Sequence, residues 1–465
     1  MKTEIVFSQK DFERLRLHTL SSGTQEEAAL LIAAVSNPGQ SLKLLVREVF
    51  EVPNKGFYHK GFASLTIDPE FLMPVVKRAR LATLSVIMVH SHPFTELDTT
   101  FSSIDDMGEK LLMPKLQERI PEGHHAAMVL GRSSLDARVW LRNATRSVPV
   151  DVVKVVGERI VEITPTSSLS NDARSFPMTY HRQMLALGKE AQVRLQKMTV
   201  AVVGVGGTGS VVFQQLAHLG VNKIIVVDPD VVEETNRSRT VGTTPQDVLN
   251  KRPKVEVMAR LAAQINPRLH VVTVRGSVYD LPIALKLREA DVIFCCTDNL
   301  SSRLVLNRMA YQYMIPVIDT GLDIQCEEEG KIRSAGGRVM TLLPNSPCLE
   351  CTGYLNALEL SREIAQIEAG DKPHHSYISG TPEEAPAVIS LNGIVASLAV
   401  NEFLHLLTGL ETQREPGMYK MYRILNGTVQ TYRMQAESKC TLCDEVKALG
   451  DTVMLPCRKQ STESC

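Results

Sequence analysis

The stretch MTVAVVGVGGTGS, Met198 to Ser210, decides how the rest of the chain is read. A short apolar run ends in a glycine-rich turn, and SVVFQQLAHLG continues from it at helical spacing as far as Gly220. Gly204, Gly206 and Gly209 fit G-x-G-x-x-G, with Gly207 in the same turn. Without Cβ atoms, backbone amides approach an anion at a helix N-terminus, where the helix dipole favours negative charge. The next apolar run, KIIVVD, ends in Asp228, about twenty residues on, where a carboxylate suits ribose hydroxyls.

Outward from this turn the pattern alternates. PKVEVMARLAAQINP reads as a helix with Val255, Met258, Ala262 and Ile265 on one face, and HVVTV, DVIFCCTD and IPVIDTG read as strands. Short apolar strands alternating with helices predict a parallel sheet covered on both faces. Upstream, a polar, turn-rich segment over residues 166–176 is the expected linker, leaving a first block of residues 1–165 and a second of 177–465. In the first block we expect a helix around Asp11 to Leu20, strands at LKLLVREVFEVP, TLSVIMVHSHP, AAMVLG and ARVWLR, and a helix at PEFLMPVVKRARLA. The fold class is α/β throughout, a mixed block followed by a Rossmann-like, mainly parallel, doubly wound sheet.

Composition narrows the function. The chain has 465 residues and a net charge of −1, so no basic field speaks for nucleic acid. The N-terminus lacks an apolar signal core, and the apolar segment Ala387 to Leu407 is broken by Asn392, Asn401, Glu402 and His405, which argues against a membrane span. A cytoplasmic setting is expected.

The turn alone would also suit a dehydrogenase. DPDVVEETNRSR from Asp228, then RPKVE and CCTDN, separate the cases. Together with the preceding TYHRQMLALGKEAQVRL, these motifs resemble the adenylating domain shared by ubiquitin-activating enzymes and the ThiF/MoeB proteins. The resemblance spans roughly Phe176 to Val446. It implies ATP and Mg²⁺, with Asp228 on the ribose, Asn236, Arg239 and Lys254 on the phosphates, and Asp298 on Mg²⁺. It also implies a homodimer in which Arg182 reaches the partner's phosphates. The implied partner is a ubiquitin-like protein ending in glycine.

Nine cysteines include two C-x-x-C pairs, Cys348/Cys351 and Cys440/Cys443, whose spacing suits a closed, structural tetrahedral Zn²⁺ site. The ThiF/MoeB resemblance implies the same. Many ubiquitin-activating relatives carry a nucleophilic cysteine in the segment after the first pair. Here TGYLNALELSREIAQIEAGDKPHHSYISGTPEEAPAVISLNG contains none, although it includes His374 and His375. Cys326, Cys457 and Cys465 remain as outside candidates for a thioester, each more often an ordinary thiol.

VHSHPFTELDTTFSSIDD, Val89 to Asp106, poses a separate question. His90 and His92 lie two apart at a strand end and point the same way; two imidazoles with a carboxylate, Asp105, make an open zinc site. The set resembles the JAMM (MPN/JAB) metallo-isopeptidases, whose pattern is an upstream glutamate, H-x-H-P and S-x-x-D. The resemblance makes Ser102 an oxyanion stabiliser and places the general base on EEAALLIAA, similar to the family's glutamate-bearing helix, at Glu27 in preference to Glu26. Nine residues separate His92 from Ser102, a longer loop than the family's, and Ser103/Asp106 offers a shifted register.

Both resemblances suit one substrate. The expectation is a bifunctional enzyme, as in bacterial ubiquitin-like conjugation systems, some of them antiviral. One half trims or releases a ubiquitin-like protein, the other adenylates its terminal glycine, and a conjugating enzyme or sulfur donor accepts the acyl group. Two alternatives stand beside it: activation of a sulfur carrier for cofactor biosynthesis, and an adenylating enzyme whose first block only docks the partner.

Overall fold

The computed structural model describes residues 1–61, 64–169, 177–327, 331–370, 386–410, 417–437 and 440–458. The chain divides into two units. His374, His375, Cys465 and residues 170–176 of the expected linker lie outside the described residues. Residues Thr166–Ser168 form a single 3-10 turn.

The first unit comprises Met1–Arg174 with the short segments Gln312–Met314 and Val446–Met454. Its strands are β1 (Lys2–Ser8), β2 (Ala28–Ser36), β3 (Ser41–Glu51), β4 (Phe57–Lys60), β5 (Leu65–Ile67), β6 (Ser85–Ser91), β7 (His125–Leu130), β8 (Leu135–Trp140), β9 (Val148–Pro149), β10 (Val152–Val156) and β11 (Ile160–Ile163). Its helices are α1 (Gln9–Thr19), α2 (Pro69–Leu81) and α3 (Ser103–Arg119). Nine strands form one mixed sheet in the order β11-β10-β1-β3-β2-β6-β7-β8-β9, while β4 and β5 pair apart.

One element differs from its sequence expectation. EEAALLIAA does not lie on a helix, because its run of alanine, leucine and isoleucine continues as the central strand β2, between β3 and β6. Being covered on both faces, β2 shows no polar alternation, so periodicity alone does not separate it from a buried helix. One apolar layer on this sheet includes Phe7, Leu15, Leu44 and Met128; the other includes Leu30, Ile32, Val76, Val86 and Met113.

The second unit carries β12 (Thr199–Val203), β13 (Lys223–Asp228), β14 (His270–Arg275), β15 (Val292–Cys295), β16 (Val317–Cys326), β17 (Ile332–Leu342), β18 (Met418–Arg423) and β19 (Thr428–Arg433). Its helices are α4 (His181–Leu187), α5 (Lys189–Leu195), α6 (Gly207–Leu219), α7 (Pro245–Leu249), α8 (Lys254–Ile265), α9 (Leu281–Lys286), α10 (Leu300–Gln312, the last residue grouping with the first unit), α11 (Ala357–Glu368) and α12 (Ile389–Thr408). The strand order is β14-β13-β12-β15-β16-β17-β18-β19. The first five strands are parallel, as expected. From β16 onward every pairing is antiparallel, so the sheet is mixed rather than mainly parallel. Chain reversals without crossover helices after β16 and β18 impose that switch.

Helix α12 is long and apolar enough to cross a membrane by composition. It packs instead on α6, β16 and β17, and Glu402 inside it pairs with Lys420 at 2.9 Å and accepts from Thr341 Oγ1 at 2.9 Å.

Candidate functional site

In the second unit the carboxyl ends of the parallel strands open into a cleft of about 720 Å³. The turn after β12 forms its floor. Gly204 has φ +82° and sits where a Cβ would meet Cys296 O at 2.7 Å. Gly209 does not line the cleft; a Cβ there would lie 1.8 Å from Gly204 O, so this glycine lets α6 pack onto the turn. Gly206 faces open space. It stands at the N-cap of α6, the place for an anion.

Asp228 ends β13 as a buried carboxylate, accepting from Val205 N at 2.7 Å and Asp230 N at 2.9 Å. Burial raises its pKa despite Lys254 and those two amides. Lys254, also buried, reaches Asp230 Oδ2 at 2.8 Å. Burial works against its charge, but Asp228 and Asp230 outweigh it and raise its pKa, so the cation persists. Asn236 and Arg239 lie on the 3-10 turn Glu234–Asn236 and just after it, where Asn236 Oδ1 accepts from Glu233 N at 3.2 Å and Arg239 donates to Thr235 O at 2.8 Å. Asn236, Arg239, Lys254 and Asp298 all line the cleft with Gly204, Gly206, Gly207 and Asp228. Arg182 does not line it and is exposed on α4.

Sequence reasoning missed Arg303 in the same cleft. Arg303 Nη1 donates to both oxygens of the fully buried Asp319 at 3.1 Å, and Arg338 closes on that carboxylate from the other side. This pairing buttresses the wall beside Asp298. Glu363 on α11 accepts from Leu300 N and Ser301 N at 2.8 Å, capping α10 just beyond Asp298. Neither residue sits in a motif, so nothing in the string marked them.

Away from the cleft, four thiol sulfurs converge. Cys348 and Cys351 are 3.7 Å apart, Cys348 and Cys440 3.7 Å, and Cys351 and Cys443 3.8 Å. A tetrahedral Zn–S bond of about 2.3 Å gives an S···S edge of about 3.8 Å, so the spacing fits that ion. Contact with Cys443 pulls the Cys348 thiol down to about 5, while burial pushes Cys440 up to about 12. Only a cation lets all four be thiolates together.

In the first unit, ligand atoms of His90, His92 and Asp105 lie within 4.8 Å of one another. His90 Nε2 is 3.1 Å from Asp105 Oδ1 yet makes no hydrogen bond among the described residues, and His92 Nε2 is 3.6 Å from Asp105 Oδ2. A buried nitrogen aimed at a carboxylate in this way fits a shared cation. The S-x-x-D motif is a helix-capping box. Ser102 Oγ accepts from Asp105 N at 3.2 Å, and Asp105 Oδ2 accepts from Ser102 N at 2.7 Å, which aims the carboxylate at the histidines from the first turn of α3. Burial opposes the Asp105 charge, but His90 and Ser102 win and hold it well below the usual carboxylate range. Asp106, the carboxylate of the shifted register, pairs instead with Arg138 at 2.7 Å.

The upstream glutamate needs correction. Glu27 does not face the histidines; it binds Lys60 Nζ at 2.5 Å. Glu26 Oε1 lies 3.5 Å from His92 Nε2. Parity decides between them: Ala28 is the cross-strand partner of His90, so the residue two before it shares the His90 face, whereas Glu27 sits opposite Ser91. Burial pushes the Glu26 carboxyl up to about 7.

Comparison with known proteins bears on one of the two sites. The ThiF family model matches residues 180–443. The SAMP-activating enzyme E1 of Haloferax volcanii is 34% identical over 265 residues, 57% of this chain and 87% of that enzyme. The chain belongs to the ThiF family. The molybdopterin-synthase adenylyltransferase of Escherichia coli is 26% identical over 58% of this chain and 96% of that enzyme. The sulfur carrier protein ThiS adenylyltransferase of the same organism is 23% identical over 57% and 94%. Residues 180–443 are thus a ThiF-family adenylyltransferase domain, and its motif residues Asp228, Asn236, Arg239, Lys254 and Asp298 meet in one cleft. Cys326, an outside candidate for a thioester, is partly exposed. The Cys457 thiol, another, is pushed up to about 12 by burial and by the Asp280 carboxylate, so it is protonated near neutrality and a poor nucleophile.

Proposed function

We propose that the chain adenylates the C-terminal glycine of a ubiquitin-fold carrier protein with ATP. The observation that carries this reading is the cleft itself, where an open glycine turn, a ribose carboxylate, three phosphate-side donors and Asp298 line one space. An oxygen of the incoming carboxylate attacks the α-phosphorus, and the bond to the bridging oxygen of pyrophosphate breaks. The products are an acyl-adenylate and pyrophosphate. Asn236, Arg239 and Lys254 stabilise the charge gathering on the phosphate oxygens. Asp298 would hold Mg²⁺, which supplies further charge neutralisation when bound. Arg182, exposed on α4, is assigned to the nucleotide of a second copy in a homodimer.

Two facts favour activation of a sulfur carrier over a thioester relay. Residues 352–394 contain no cysteine. The E. coli relatives are named for molybdopterin synthase and the sulfur carrier ThiS. The experiment is ATP–pyrophosphate exchange in the presence of a glycine-terminated ubiquitin-fold protein, with mass spectrometry for the acyl-adenylate. Exchange without any such protein, or none with it, overturns the reading.

A second activity is supported by the His90, His92 and Asp105 convergence beside Glu26. We infer that the first unit is a JAMM-type zinc peptidase acting on the same partner, either exposing its glycine or releasing it from a conjugate. Zinc held by these three residues would supply a Lewis acid for a peptide or isopeptide carbonyl. Glu26 takes the proton from the attacking water and passes it to the leaving amine, a task suited to a carboxyl near 7. Cys348, Cys351, Cys440 and Cys443 would hold a second, structural zinc. If the triad residues bind no metal, the first unit is a docking module.

A further inference from the structure

Strand order orients any nucleotide in the cleft. The glycine turn ends β12, Asp228 ends β13, and the segment Gly276–Tyr279 follows β14 on the far side of Asp228. Gly276 N donates to the backbone carbonyl of Asp228 at 3.2 Å, so this segment begins beside the residue assigned to the ribose. Phosphates over the turn and ribose on Asp228 therefore leave the base over Gly276–Tyr279, whose four residues line the cleft.

A segment beyond the region matched by the family model reaches this end. Arg458 N donates to Tyr279 O at 2.8 Å, Asp280 and Arg458 form a parallel bridge, and the Cys457 thiol points to Val278 O at 4.0 Å. Arg458 lines the cleft. Asp280 Oδ1 accepts from Arg458 Nε at 3.0 Å and Nη2 at 2.8 Å, which fixes the guanidinium plane while leaving its face and Nη1 edge uncommitted among the described residues. The side chain is 44% exposed, so a ligand can reach it.

We propose that Arg458 is a base-binding residue that closes the purine end of the nucleotide cleft, offering a planar cation to the face of the adenine ring. This inference rests on the nucleotide reading above. A delocalised guanidinium is weakly hydrated and stacks on aromatic faces, whereas an ammonium is a hydrated point charge. Asp280 cancels much of the net charge, so the residue acts on the base more than on the phosphates. Asp280 is accordingly a positioning residue.

The test is calorimetric titration of the full chain with ATP, AMP and inorganic pyrophosphate, which needs no protein partner. Arg458→Ala is expected to weaken ATP and AMP alike by about 3- to 10-fold and to leave pyrophosphate unchanged. Arg458→Lys, lacking the plane, should resemble the alanine variant, and Asp280→Ala should shift AMP in the same direction. Unchanged ATP and AMP affinities in Arg458→Ala, full rescue by lysine, or an equal loss for pyrophosphate each overturn the assignment. Thermal melting of each variant separates lost folding from lost binding. A parent chain that binds no ATP overturns the nucleotide reading and this inference with it; a parent that binds as well as Arg458→Ala overturns this inference alone.

Discussion

Replacing Glu26 by Gln removes the carboxylate beside the histidine pair without changing its size. The geometry gives the expected magnitude. Glu26 Oε1 stands 3.5 Å from His92 Nε2, and burial pushes its carboxyl up to about 7, so near neutrality it is present in both protonation states. A group that accepts and then returns a proton contributes roughly 10²- to 10⁴-fold, equivalent to about 3–5 kcal/mol of barrier. Peptide cleavage by Glu26→Gln should fall by that factor with KM little changed. Glu27→Gln should behave differently. It breaks the pair with Lys60, whose ammonium is also held by Asn54 Oδ1 at 2.9 Å, and leaves a part-buried cation short of a partner. Its expected cost is about 1–3 kcal/mol of stability with near-parental cleavage per folded molecule. The assay is hydrolysis of a linear fusion of the partner protein to a C-terminal extension, followed by gel and mass spectrometry, beside urea unfolding. If Glu27→Gln abolishes cleavage while Glu26→Gln cleaves normally, the strand-parity argument is wrong.

Asp298→Ala should reduce ATP–pyrophosphate exchange by about 10²-fold or more and leave peptide cleavage intact; loss of both in a folded chain refutes separate sites. Metal analysis should find two zinc ions per chain, one lost in His92→Ala and the other in Cys443→Ser, with a lowered melting temperature only for the thiol variant. A single zinc that survives His92→Ala would leave the first unit without a metal. Glu4 is buried, 2.6 Å from Lys2 and 3.7 Å from Lys154; burial opposes its charge, but Lys154, Lys43 and Lys2 hold it well below the ordinary range. A depressed carboxylate stabilises the fold above its unfolded pKa of about 4.3, and that stability is lost as pH falls toward the folded value. Glu4→Gln should therefore cost about 3 kcal/mol at pH 7, with the gap to the parent closing in acid, as read by denaturation at several pH values.

How much could be read from the string depends on how local each site is. The nucleotide cleft draws on turns at strand ends. Each motif carries its own geometry: Gly204 requires a positive φ, Gly209 a bare Cα, and Asp228 the end of an apolar run. Those demands act within a few residues, so the string displays them. The parallel part of the sheet was readable for the same reason. The antiparallel strands β17 to β19 were not, because strands at a sheet's end leave no period that differs from other half-exposed runs, and β17 pairs with β18 across a connection that contains α11 and α12.

The proposed metal triad is half local. His90 and His92 announce themselves, and Ser102 with Asp105 reads as a capping signal that here also aims the carboxylate at the histidines. The glutamate is a different kind of problem. Adjacent acids at Glu26 and Glu27 are indistinguishable by composition, and a one-residue change of register would exchange their faces. Only the pairing of Ala28 with His90 settles which one turns inward. That register is set in turn by the apolar layers flanking β2, where Leu30 and Ile32 pack with Val86 on one side and Leu31 and Ala33 with Ile87 on the other. A slip of one residue would exchange these layers and carry Glu26 to the Lys60 side. Which glutamate stands beside the histidines is therefore a consequence of core packing, and under the proposed peptidase reading mutations that loosen β2 against β6 should impair cleavage before they impair the nucleotide cleft.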